Sequence, residues 1–67
     1  MLPVQSSNIE AIGFNDESGT LYVQFHGGST YSYANVPAEV VQGLIGAASK
    51  GSYFAQKIKN KYVTSKE

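Results

Sequence analysis

Few side chains in this 67-residue chain could do chemistry, and the cationic ones among them are gathered at one end. Lys50, Lys57, Lys59, Lys61 and Lys66 all fall in residues 50–67, where Glu67 is the single acid. Residues 1–49 carry Glu10, Asp16, Glu17 and Glu39 and no lysine, so a net charge of zero conceals a strong segregation. A helix through the basic segment, advancing about 100° per residue, sets Lys50, Lys57 and Lys61 close to one line. Tyr53 then lies beside that line, and Lys59 points elsewhere. A lysine row next to an aromatic ring can meet phosphates while the ring stacks on a base. With no arginine present, the contacts are point charges and not bidentate forks, which implies modest, salt-sensitive binding. The same row also serves as a solubilising helix face, with Tyr53 half-packed against the preceding helix. Acidic strands pairing with a basic helix inside one fold is a further structural use of the segregation.

Catalysis needs convergent titratable groups, and the inventory is thin. His26 is the only histidine, with no serine or aspartate around it in a recognisable triad; its plain reading is an exposed strand-end residue. Asp16 and Glu17 are adjacent in a turn-like stretch and are poorly held for acid–base work. Gly27-Gly28 joins two strands and lacks the spacing of a phosphate-binding loop. There is no cysteine, which excludes disulfides, thiolate zinc and thiol nucleophiles. The chain is expected to be non-enzymatic, with no metal and no cofactor. An enzyme would require a pocket gathering His26, Asp16 and tyrosine hydroxyls.

These groups must be positioned by a small set of elements. Ile9–Phe14 reads as a strand with imperfect alternation, Gly13 marking a bulge or a close backbone approach. Leu21–His26 alternates cleanly and Thr30–Tyr33 alternates again, with Gly27-Gly28 supplying the hairpin between them. A two-residue loop there would put Tyr31 and Tyr33 on the face of Tyr22 and Gln24. A longer loop shifts the pairing by one residue and puts them beside Val23 and Phe25. The shifted register is favoured, because it gathers Leu21, Val23, Phe25, Tyr31 and Tyr33 on one face. On that face the two tyrosines are amphipathic core residues; on an open face they would be a stacking platform for bases, with His26 nearby.

Pro37 suits the first turn of a helix carrying Val40, Val41, Leu44 and Ile45 as its apolar stripe. Gly43 and Gly46 weaken that helix and suggest a close approach to the sheet. Gly51 reads as its terminator and Ser52 as the N-cap of a second helix, whose Phe54, Ile58 and Tyr62 face the core. The expected fold is α+β: a three-stranded antiparallel meander followed by two helices packed on one face of the sheet. It forms one domain, 1–67, with an ordered core of roughly 7–62 and loose ends at 1–6 and 63–67.

Ile9 to Phe14, the Leu21-x-Val23-x-Phe25 spacing, Tyr31-Ser32-Tyr33, Val36-Pro37 and the Ser49-Lys50-Gly51-Ser52-Tyr53-Phe54 junction together resemble the KTSC domain. That short module is named after the C-terminus of some lysyl-tRNA synthetases and occurs also as small stand-alone proteins of bacteria and phages. The likeness runs from Ser6 through Tyr62. It implies the fold above and, through the attachment to a synthetase, contact with RNA. This chain departs from the family pattern at Ala55, where an asparagine often follows the Tyr-Phe pair, and in carrying lysine where the last helix often has arginine.

Hydrophobic residues at 42% and charged ones at 15% support a folded globule. No apolar run reaches the ~20 residues of a membrane span, and Met1–Gln5 lacks the features of a signal peptide. A cytoplasmic protein without membrane contact is expected. Two functions follow from these features. The first is a binding module for RNA or a nucleotide phosphate through Lys50, Tyr53, Lys57 and Lys61, with Tyr31, Tyr33 and His26 as secondary candidates. The second is a protein-interaction module, one version of which self-associates through a free sheet edge.

Overall fold

The computed structural model describes residues 2–4 and 6–67. Three central strands form the expected meander: β2 (Ile9–Asn15), β3 (Thr20–Phe25) and β4 (Thr30–Tyr33). They are extended at the edges by β1 (Leu2–Pro3) and β5 (Thr64–Lys66), giving a five-stranded antiparallel sheet in chain order. Between β4 and β5 lie α1 (Ala38–Gly46) and α2 (Lys50–Lys57).

The β3–β4 hairpin adopts the shifted register. Leu21 stands opposite Tyr33 and Val23 opposite Tyr31. The loop is His26-Gly27-Gly28, closed by the Phe25 N–H donating to the Ser29 carbonyl at 2.8 Å. Both glycines take positive φ, 102° and 96°, which side-chain-bearing residues adopt only at a cost. The imperfect alternation of β2 has its origin at Glu10, not at Gly13. Ile9 pairs with Phe25 but Ala11 pairs with Gln24, so Glu10 is an extra residue. This bulge brings Ile9 and Ile12 onto the same face although they are three apart, and both are fully buried.

That face is sealed by the helices. The core comprises Ile9, Ile12, Leu21, Val23 and Tyr33 from the sheet with Val36, Val41, Leu44, Phe54 and Ile58 from the helical part. Ile45 of the expected stripe faces outward. The helix boundaries differ from those read in the sequence. Pro37 is the N-cap of α1, one residue before the helix begins, and α1 ends at Gly46. Ser49 caps α2 by accepting from the Ser52 N–H, so Gly51 and Ser52 lie inside the second helix. A hydroxyl three residues ahead of the amide it caps is the favoured geometry. Ser49 and Ser52 both fit that pattern by type, and only the path of the chain between the helices separates them.

α2 is short. It stops at Lys57, Ile58 and Lys59 both donate to the Phe54 carbonyl, and Asn60 takes φ 62°. Asparagine enters the left-handed region more readily than most residues. The turn there sends the chain back along β4, where the Ala34 N–H donates to Val63 O and the Glu67 N–H to Thr30 O. The ends expected to be loose therefore supply the two edge strands; Met1 and Gln5 of that expectation lie outside the described residues. No helix among the described residues is long and apolar enough to cross a membrane.

Candidate nucleic-acid interface

Phe25, Tyr31, Tyr33 and Phe54 meet edge-to-face where α2 lies over β3 and β4. Phe25 stands 5.9 Å from Tyr31 and 5.4 Å from Phe54, and Phe54 stands 5.5 Å from Tyr33, with interplanar angles of 73–77°. Edge-to-face contact sets the positive rim of one ring against the negative face of the next. Tyr33 and Phe54 are buried; Phe25 and Tyr31 are half-buried. The four rings form the floor of an open cavity of about 390 Å³. Asn8, Lys59, Asn60 and Thr64 make its polar rim, and α2 contributes Gly51 and Ala55 to its wall.

The charge around this cavity is one-sided. No carboxylate lines it. Lys66 pairs with Tyr31 in the β4–β5 register, so it stands on the same face of the sheet. Glu67 is drawn to the other face, where its Oε2 accepts from the Ser32 hydroxyl at 2.8 Å. Burial pushes the Tyr33 phenol above the usual tyrosine value, with Tyr31 adding to the effect, so the Tyr33 phenol is neutral at physiological pH. Neither tyrosine hydroxyl has a hydrogen-bond partner among the described residues.

The sequence-derived candidates divide. Tyr31 and Tyr33 enter the cavity together; Lys50, Tyr53, Lys57, Lys61 and His26 do not line it. The Lys50 ammonium donates to the Ala47 carbonyl at 3.0 Å, and Tyr53 packs against Gly43 of α1. Lys57 and Lys61 are exposed, but Lys61 lies past the end of α2, so the three-lysine helical line does not form. Lys59, which helical geometry set apart, is the lysine at the cavity. The signal for it was Asn60, whose tolerance of a left-handed turn places the helix end shortly before it, so that helical projection does not extend to Lys59.

His26 is a tether. Its Nε2 lies 3.0 Å from the Ser6 carbonyl oxygen and its Nδ1 3.5 Å from Glu10 Oε1, with both side chains about half exposed. That is the only contact of a carboxylate with a basic side chain among the described residues; no lysine takes part in one. The expected pairing of acidic strands with a basic helix is therefore not formed. Asp16 lies in the β2–β3 turn, at the opposite end of β3 from His26, so the two do not converge with the tyrosines.

The family profile of the KTSC domain matches residues 5–62. This chain belongs to the KTSC domain family. Among solved structures, the KTSC domain protein YPO2434 from Yersinia pestis superposes with a TM-score of 0.92 at 39% identity, over 97% of this chain and 92% of that one. An uncharacterised protein of Stutzerimonas stutzeri strain A1501 is 43% identical over 56 residues, which cover 84% of this chain and 79% of that protein. A lysine–tRNA ligase of Nostoc punctiforme is 36% identical over 62 residues, covering 92% of this chain. Those residues are 11% of the ligase, so in that enzyme a KTSC-like segment is a minor part of a much longer chain. The likeness read from the sequence, in both family and fold, is thus established.

Proposed function

We propose that this KTSC domain is a non-catalytic binding module that engages RNA, or another phosphate-bearing ligand, through the lysines of its C-terminal quarter. One observation carries this: all five lysines lie within residues 50–66, and among the described residues none is neutralised by a carboxylate. Lys57 and Lys61 are exposed, Lys59 lines the cavity, and Lys66 lies across from Tyr31. Lys50 is held by the Ala47 carbonyl and Tyr53 lies against Gly43, so both are secondary to these four. The occurrence of a similar segment in lysine–tRNA ligases supports RNA as the ligand.

Fluorescence anisotropy with labelled tRNA and single-stranded RNA at low salt tests this. Binding that weakens steeply as salt rises, and that Lys57→Glu with Lys61→Glu abolishes, is expected. Absence of binding at low salt overturns it. In that case the open edge of β5, whose three residues are all exposed, favours the second reading. A partner strand would pair there, with light scattering reporting self-association.

A further inference from the structure

We propose that the cavity under α2 receives the base of one unstacked nucleotide, with its phosphate held by Lys59. This rests on the phosphate-ligand reading above and deepens it by naming a place and a chemical unit.

Size argues for this first. About 390 Å³ lies near the lower end of ligand sites, which run roughly 300–1,000 Å³. It suits one heterocycle and not a peptide segment. The lining argues for it next. The half-buried Tyr31 and Phe25 offer aromatic surface, and base–aromatic stacking is indifferent to base identity. Asn8 and Asn60 on the rim carry both donors and acceptors, as the edge of a base requires. Lys59 adds the only charge among the lining residues, and it is positive.

The wall is also shaped to keep Asn8 in place. A Cβ built on Gly51 would come within 2.6 Å of Asn8 Oδ1. Glycine in the first turn of α2 lets the amide sit against the helix backbone, and the Ser6 hydroxyl, donating to the same oxygen at 3.0 Å, fixes it. The amide nitrogen has no partner among the described residues. Glycine is a poor helix former, and here its position coincides with an amide that lines the cavity.

The experiment is a ¹⁵N-HSQC titration of the intact chain with the four nucleoside monophosphates and with single-stranded RNA hexamers. It is run on wild type, Ala55→Leu, Lys59→Gln and Lys57→Glu with Lys61→Glu. Ala55 is solvent-exposed on the cavity wall, so leucine narrows the cavity without entering the core. Shifts at Asn8, Ala55, Lys59 and Asn60, with affinity lowered about tenfold by Ala55→Leu, are the expected result. Tighter binding of hexamer than of monophosphate assigns the base to RNA; the reverse assigns it to a free nucleotide. Hexamer binding that Ala55→Leu leaves unchanged and the double glutamate variant abolishes overturns the cavity proposal while the lysine surface stands. Cavity shifts with hexamer binding indifferent to the double variant sustain the cavity and overturn the lysine surface. No shift with any ligand overturns both.

Discussion

Tyr53 of α2 lies directly over Gly43 of α1. A Cβ on residue 43 would come within 2.7 Å of Tyr53 Cζ, with the phenolic oxygen nearer still. The close approach that glycine permits is therefore between the two helices, not between helix and sheet. At Gly46 a Cβ would meet nothing within 4 Å, so the two glycines of α1 are not equivalent.

Gly43→Ala should thus destabilise the domain although alanine is the better helix former. Overpacking typically costs about 1–3 kcal/mol, offset by about 1 kcal/mol of helix propensity. A net loss of up to about 2 kcal/mol is expected in urea denaturation. Gly46→Ala should stabilise by a few tenths of a kcal/mol to about 1 kcal/mol. Equal effects of the two substitutions would show that Tyr53 swings aside without cost.

The helix junction makes a second contrast. Ser49→Ala removes the cap of α2 and should cost about 1 kcal/mol. Ser52→Ala, inside the helix, should retain stability within about 0.5 kcal/mol. Thermal melts suffice, since 1 kcal/mol moves the midpoint of a domain this size by about 4–8 °C.

Alkaline pH reports on Tyr33. Its phenol titrates higher in the folded chain than in the unfolded chain, chiefly through burial. The unfolded phenol loses its proton first, at a pH of about 10. Stability from this group is complete below that value and is lost as pH rises through the folded pKa. Urea midpoints should decline above pH 10, and Tyr33→Phe should flatten the decline relative to wild type. Parallel curves for the two proteins would show that Tyr33 is not the group responsible.

Salt dependence counts the lysines that touch phosphate. For single-stranded RNA the slope of log affinity against log salt changes by about 0.7 for each phosphate that a side chain ceases to neutralise. Lys57→Gln, Lys59→Gln and Lys61→Gln should each reduce it by that amount. A slope unchanged by all three would move the binding surface elsewhere.

Much of this architecture is legible in residue order. Alternation in Leu21–Phe25 and Thr30–Tyr33, the requirement that apolar side chains share one face, and the Gly27-Gly28 turn suffice for the hairpin register. The bulge at Glu10 is visible only as a break in alternation, because which residue is extra depends on what β3 pairs with. The edge strands are not legible, since Leu2–Pro3 and Thr64–Lys66 are too short to show a period and form only because a neighbouring strand offers unpaired backbone groups.

The sequence by itself determined the segregation of charge, the apolar face and the family. Each is a property of residue types at local spacing. Only the tertiary structure decided which lysine lines the cavity with the tyrosines. Helical projection ends at Lys57, just before Asn60 turns the chain, and past that point a side chain's neighbours are set by long-range packing of α2 and β5 against β4.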